Sequence, residues 1–361
     1  LGSSEPLTNS QKITEVLKDA SLRKFISTKA SNMRDYADAC FRYLRATGMV
    51  DISYSGRSIS IVPERLPDID YVLSNCDRRP MRVKNQEEYI SYLGNPGFPV
   101  LLTDDIEAVK RKLRDGFPGE SFAEDATADE LNGLLDRLTK QRKSDLIDQK
   151  VADLKTYRDY TDVQDLFDRI LKDKSLYDAP LMLEWNTWRA MTMLDGGDIK
   201  ANLKFDDFGK PLSTALGNRA DIECDYGNFA LAVEVTMLNG HKQYDGEGEP
   251  VPRHLGRLAA EKGKQAFCLF IAPKINPSVV SHFFVLHRLD IPGYGGAANI
   301  IPLPLEIFRK MVEDSYKAKR TPTPTNVRGL FEVAGALALS NKNDVEWYEA
   351  VKRAASNWLQ L

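Results

Sequence analysis

The stretch 219–238 constrains this chain more than any other, because its side-chain alternation selects one strand register. Two runs, 219–226 and 229–238, read as β-strands joined at Gly227-Asn228, a dipeptide that tolerates the positive φ values of a tight hairpin. Paired around that turn, Tyr226 faces Phe229, Cys224 faces Leu231 and Ile222 faces Val233; Val235 and Met237 extend the same apolar side. A slip of one residue would mix the two faces. On the other side the same register sets Asp221 opposite Glu234. Cβ atoms of such a pair lie about 4.5–5.5 Å apart, and like charges there repel. Glu223 and Asp225 share that side, opposite Ala232 and Ala230, whose small side chains leave room beside the acids.

A divalent cation resolves the repulsion. Hard cations such as Mg²⁺ take carboxylate, carbonyl, water and phosphate oxygens, and the carbonyl of Val235 is a natural third ligand. The competing reading is a solvated acidic face. Against it, Leu231, Val233 and Val235 belong to a strand apolar enough to be central. Upstream, 181–194 reads as a helix with an apolar stripe of Leu181, Trp185, Trp188 and Met191, and Glu184 falls inside that stripe. A buried carboxylate needs a partner: a metal, a metal-bound water or an arginine. The alternative is a glutamate at the stripe's edge whose head reaches solvent. Downstream, 238–250 is polar and Gly-rich, expected to be a flexible surface loop. Pro250 and Pro252 then open a helix with His254 near its start. A histidine there can take a proton from water or orient it, or simply cap the helix.

The rest of the chain supplies context. Residues 12–50 read as helices, and 52–62 as a hairpin turning at Ser55-Gly56 with Arg57 at its tip. Helices followed by a hairpin with a basic tip form the winged-helix pattern, although any small α+β module would share it. The run Arg78, Arg79, Arg82 and Lys84 either touches phosphates or is a solvated loop. Residues 101–172 are helical and highly charged, expected to be a solvated connector. Beyond 179, strands (266–272 and 299–303) alternate with helices (277–287 and 305–317), and two helices close the chain, implying a mixed sheet flanked by helices. The expected organisation is therefore an α/β and α multi-domain chain: 1–100 a winged-helix-like DNA-binding region, 101–178 a helical connector, 179–361 the catalytic domain.

The formal net charge of −3 means that nucleic-acid contact must come from local basic patches. Cys40, Cys76, Cys224 and Cys268 form no CxxC pair, which speaks against a zinc module and for buried free thiols in a reducing cytosol. No apolar run approaches the roughly 20 residues of a membrane span, and no signal peptide is visible. A start at Leu1 rather than Met suits a fragment whose upstream part carries further function.

Several ordered segments carry a family resemblance. These are Leu183-Glu184-Trp185-Asn186-Thr187-Trp188-Arg189-Ala190, then Ala220-Asp221-Ile222, then Val233-Glu234-Val235-Thr236, then Glu247-Gly248-Glu249-Pro250-Val251 with Arg253-His254. Through them, over roughly half its length, the chain resembles the AlwI family of type IIS restriction and nicking endonucleases. That resemblance implies a PD-(D/E)XK nuclease core, double-stranded DNA as substrate, and Mg²⁺ as cofactor with Mn²⁺ as a substitute. It also implies an N-terminal region that reads the recognition sequence, and a bacterial-type cytoplasmic location with no membrane partner. By the same resemblance Asp221 and Glu234 bind metal with the Val235 carbonyl, Glu184 completes or supports that site, and Glu247 and His254 are accessory active-site residues. Double-strand cutting would need a second nuclease subunit or a transient homodimer. One departure stands out: Thr236 occupies the position where the motif has lysine. His254 is the first choice for the missing group, with Arg219 and Gln243 nearby. Without that lysine, a sequence-specific DNA-binding protein with an inactive nuclease-like domain stays open, as does a structure-specific repair nuclease.

Overall fold

The computed structural model describes residues 19–52, 58–76, 85–95, 97, 100–173, 176–215, 217–319 and 322–361. The chain divides into two compact units, one ending at Ala108 and the other running from Val109 to Leu361.

In the first unit, α1 (Ala20–Ala46) is capped by Asp19, whose carboxylate accepts from the N–H groups of Ser21 and Leu22. Two short strands, β1 (Val50–Ile52) and β2 (Ile59–Ile61), pair antiparallel with Val50 against Ile61. The helices α2 (Leu66–Asn75) and α3 (Gln86–Leu93) follow. A helix leading into a hairpin is what the pattern predicted. The hairpin tip with Arg57, and the basic run Arg78, Arg79, Arg82 and Lys84, lie outside the described residues.

The boundary falls within α4 (Ile106–Gly116), and the second unit continues with α5 (Ala128–Lys155) and α6 (Tyr160–Lys172). This stretch is helical, as its charge pattern suggested, but it is not solvated throughout. On α6, Val163, Leu166, Phe167 and Ile170 are buried in the main core, with Phe167 edge-on to Phe308 at 6.2 Å. Helix α7 (Ala179–Leu194) is buried from Leu181 to its end. Its Asn186 donates to the Val163 carbonyl (2.8 Å), and its Arg189 pairs with Asp162 (2.5 Å) while lying over the Trp185 ring. Two polar side chains of this buried helix thus find partners on α6, whereas the Thr187 hydroxyl and the Trp188 indole N–H have none among the described residues.

The sheet has five strands in the order β3-β6-β7-β8-β9. They are β3 (Asp198–Ala201), β6 (Ile222–Asp225), β7 (Ala230–Val235), β8 (Ala266–Ala272) and β9 (Ile300–Pro304). The first three pair antiparallel; β7, β8 and β9 pair parallel. The hairpin register is the expected one, with Cys224 against Leu231 and Ile222 against Val233. Pleating sends alternate residues to opposite faces. Leu231 and Leu269 meet Met191 of α7 and Phe308 and Met311 of α11 (Leu305–Ala318). On the other face Phe270 meets Phe283 of α10 (Pro277–Leu286). Helices α12 (Pro324–Ser340) and α13 (Asp344–Ala355) close the chain, with Trp347 buried and its indole N–H on the Ala334 carbonyl.

Four details depart from the sequence expectations. Residues 238–250 are not a loop: they contain the short helix α8 (His241–Glu247), entered through Gly240 at φ 58°. Strand β3 and a second ribbon, β4 (Lys204–Phe205) with β5 (Pro211–Ser213), had no sequence signal, being short and half exposed. That ribbon leans on α5. Arg142 lies between the rings of Phe117 and Phe208 (5.1 and 5.2 Å), and Lys143 donates to the Phe205 carbonyl. Of the thiols, Cys224 and Cys268 are buried but Cys40 is exposed, since α1 buries none of its residues. No described helix is long and apolar enough to cross a membrane.

Helix α9 (Pro250–Lys262) carries His254 and packs on β7 and β8. Gly256 lets it approach the turn at Pro292–Tyr294; a Cβ there would sit 2.6 Å from the Tyr294 carbonyl carbon. Gly256→Ala should therefore lower stability by about 1–3 kcal/mol through overpacking. The urea unfolding midpoint measures it, and an unchanged midpoint would show that this turn yields freely.

Candidate active site

Asp221 sits at a bend one residue before β6, and Glu234 is the fifth residue of β7. The register places them side by side, one step beyond the Ile222–Val233 pair. The pairing ladder gives way there to the side chain: the Val235 N–H donates to Asp221 Oδ2 at 2.7 Å. The backbone carbonyl of Asp221 accepts from Asn202 (2.9 Å), which anchors the bend to the segment after β3. Glu234 is 5% exposed, whereas Asp221 keeps more contact with solvent.

Around this pair lies a cleft of about 390 Å³, lined also by Glu184, Arg219, Glu247 and His254. All six residues singled out in the sequence, Glu184, Asp221, Glu234, Val235, Glu247 and His254, therefore border one concavity. They arrive from α7, the bend before β6, β7, α8 and α9, so the site gathers at one end of the two central strands. Glu223 and Asp225, which share the ribbon face with Asp221, have partners of their own. Asn202 donates to Glu223 (3.0 Å) with Arg219 3.8 Å from the same oxygen, and Lys264 pairs with Asp225 at 2.6 Å.

Among the described residues no lysine or arginine forms an ion pair with the acids in the cleft. Burial raises the Asp221 pKa well above the usual carboxylate range, and the charges of Glu234 and Glu184 raise it further. Glu234 is likewise pushed well up by burial and then by Glu247 and Glu184. Glu184 is pushed up to about 7, mainly by burial, although Ala215 N–H donates to its Oε2 at 2.9 Å. Glu247 is raised by burial, while the Thr236 hydroxyl and His254 hold it back. His254 is the hinge of the cluster. Its Nδ1 lies 2.9 Å from Glu234 Oε1, and its Nε2 is buried with no hydrogen-bond partner among the described residues. Burial, then the neighbouring Arg253, lowers its pKa, so the ring is neutral near pH 7.

Thr236, in the place of the motif lysine, is buried, and its hydroxyl accepts from Leu238 N–H (3.1 Å). The three groups considered as substitutes fare differently. Arg219 and His254 line the cleft. Gln243 does not reach it, because its carboxamide is fully occupied by backbone groups elsewhere. The tether on Glu184 from Ala215 had no sequence signal, since any residue can donate a backbone N–H.

The donor set suits a hard divalent cation. Two adjacent, desolvated carboxylates with elevated proton affinity gain most from a concentrated positive charge. Among the described residues no three His, Cys, Asp or Glu side chains form a ready cage. An ion here would thus take part of its shell from the Val235 carbonyl, water and substrate oxygen.

A mixed α/β fold carrying such an acid-lined cleft belongs, by comparison with known proteins, to the site-specific deoxyribonucleases. The family model described as AlwI restriction endonuclease matches residues 5–311, and the chain belongs to that family. The match reaches well upstream of the segments that carried the sequence resemblance. A solved structure, described as the small subunit (R.BspD6I2) of the heterodimeric restriction endonuclease R.BspD6I, is 26% identical with a TM-score of 0.42, covering 55% of this chain and 96% of that one. No curated protein matches the chain.

The raised acids make stability depend on pH. Glu184 holds its proton more tightly in the folded chain, so its contribution is full below about pH 4.5 and lost as pH rises through about 7. In chelator, Glu184→Gln should flatten this decline and stabilise the protein at pH 8 by up to about 3 kcal/mol. Urea midpoints at pH 5 and pH 8 test it, and parallel profiles for the two proteins would refute the burial argument.

Proposed function

We propose that this chain is a Mg²⁺-dependent endonuclease of the type IIS or nicking kind with a PD-(D/E)XK core, cutting duplex DNA at a fixed distance from a sequence read by its N-terminal region. The observation that carries the reading is the Asp221–Glu234 pair, set side by side on one cleft by the hairpin register, with no lysine or arginine among the described residues paired to either. In this reading 1–100 is the winged-helix-like recognition region, 101–178 the helical connector and 179–361 the nuclease domain. The α1 helix followed by the β1–β2 ribbon supports the first assignment.

Asp221 and Glu234, with the Val235 carbonyl, would hold the ion, and Glu184 would support it. Once bound, Mg²⁺ offsets phosphate charge and makes a neighbouring water more acidic. The chain supplies the rest. With Glu234 ionised on the metal, its Oε1 would accept from His254 Nδ1–H, 2.9 Å away, leaving the lone pair on Nε2. That neutral nitrogen takes a proton from the attacking water, the task the absent lysine leaves open. Glu247 lies close enough to stabilise the imidazolium that results. Arg219 at the cleft wall, which also reaches Glu223 (3.8 Å) and Glu261 (3.7 Å), would favour the added negative charge on the phosphate. The products are a 5′-phosphate and a 3′-hydroxyl. One centre cuts one strand, so a double-strand break requires a second subunit or a second copy of this chain.

Thr236 favours one other reading, a DNA-binding protein whose nuclease-like domain is inactive. Incubation with a large mixed-sequence plasmid separates the two. Nicks or breaks at fixed positions with Mg²⁺ and none in chelator are the expected result; retention without cutting supports the binding protein, and cuts only at branched junctions point to a repair nuclease. Asp221→Ala should slow cutting by about 10³-fold or more, several kcal/mol of charge stabilisation, while gel-shift affinity persists. Undiminished cutting by that variant would remove the site assignment.

A further inference from the structure

Helix α8 is a seven-residue segment, exposed at His241, Lys242, Tyr244, Asp245 and Gly246. Gln243 is the exception, with no exposed surface at all. Its Oε1 accepts from Asn276 N–H at 2.7 Å, and its Nε2 donates to the Leu238 carbonyl (2.8 Å) and the Lys274 carbonyl (2.9 Å). One N–H donor facing the oxygen and two carbonyls facing the nitrogen fix the orientation of the amide. Leu238 follows β7; Lys274 and Asn276 follow β8. The carboxamide thus ties the exits of two adjacent parallel strands to each other and to α8.

Glu247 stands four residues after Gln243, and on a helix such residues share a face. Burying Gln243 therefore sets the rotation of α8 that turns Glu247 toward the cleft. The far end is held separately: His282 Nε2–H donates to the Gly248 carbonyl (2.9 Å), and the Tyr244 ring meets His282 edge-on at 5.5 Å. That rotation places Glu247 on the wall of the cleft beside Glu234 and His254.

We propose that Gln243 is a positioning residue for DNA cleavage: it acts through Glu247, holding that carboxylate in the acid cluster by latching α8 to the ends of β7 and β8. The inference rests on the reading of Glu247 as an accessory active-site residue. Gln243→Met keeps the volume and removes all three hydrogen bonds, while Gln243→Glu keeps the acceptor and removes both donors. Single-turnover nicking of supercoiled plasmid in Mg²⁺ is the assay, alongside gel-shift affinity and thermal midpoints. Gln243→Met should slow nicking about 10- to 100-fold, the scale of a misplacement near one ångström. Affinity for the plasmid should stay within about 2-fold, and in a Glu247→Ala background the same change should cost less than about 2-fold more. If Gln243→Met fails to fold, Gln243→Glu carries the same comparison. A slow Glu247→Ala beside a Gln243 variant at the wild-type rate overturns this inference alone. So does a fully multiplicative double variant, which would mark Gln243 as merely structural. Glu247→Ala at the wild-type rate overturns the reading of Glu247 beneath it, and an inert wild-type chain overturns the nuclease reading itself.

Discussion

The repulsion between Asp221 and Glu234 organises everything around it. Neither acid can retreat, because the hairpin register that brings them together is the register that buries Ile222, Cys224, Leu231 and Val233. Separating the charges by a one-residue slip would turn that whole apolar row toward the opposite face. The core therefore enforces an arrangement that electrostatics alone would reject. What relieves it locally is small and polar: one backbone N–H on Asp221 and one imidazole on Glu234. Those contacts leave room for substrate and ion, whereas a lysine or arginine wedged between the acids would fill the cleft.

The neighbouring acids behave differently under the same physics. Glu223 and Asp225 lie on the same ribbon and the same face, yet Asn202 and Lys264 engage them at hydrogen-bonding distance. Along one strand and its leading bend, an acid without a cationic partner is followed by two that have partners of their own. In the proposed nuclease reading that contrast has a use, since cleavage of a phosphodiester calls for charge that is available rather than spent.

The sheet-forming stretch was legible because it obeys two strict periodicities. Alternation gave the register, and the Gly227-Asn228 turn gave the pivot. Strand β8 and the helices after it announced themselves through long apolar runs and flanking prolines. The elements that escaped are those held by contacts remote in sequence. Helix α8 is polar and rich in glycine; its fold depends on Gln243 reaching backbone groups near Asn276, which no local pattern encodes. Strand β3 has charged residues at half of its positions and only an edge to join. The five candidate side chains were legible as types at plausible spacing, but the tether on Glu184 was not, because a backbone N–H carries no residue signature.

That tether reaches further than its length suggests. Ala215, which holds Glu184, follows directly on the β4–β5 ribbon, and the ribbon rests on α5 through Arg142 clasped between Phe117 and Phe208. The segment that carries this N–H is thereby continuous with a ribbon held by an arginine some forty residues upstream of Glu184. Loosening that clasp would detune the cleft from a distance. A helix that looks in sequence like mere scaffolding is, in this respect, part of the instrument it supports.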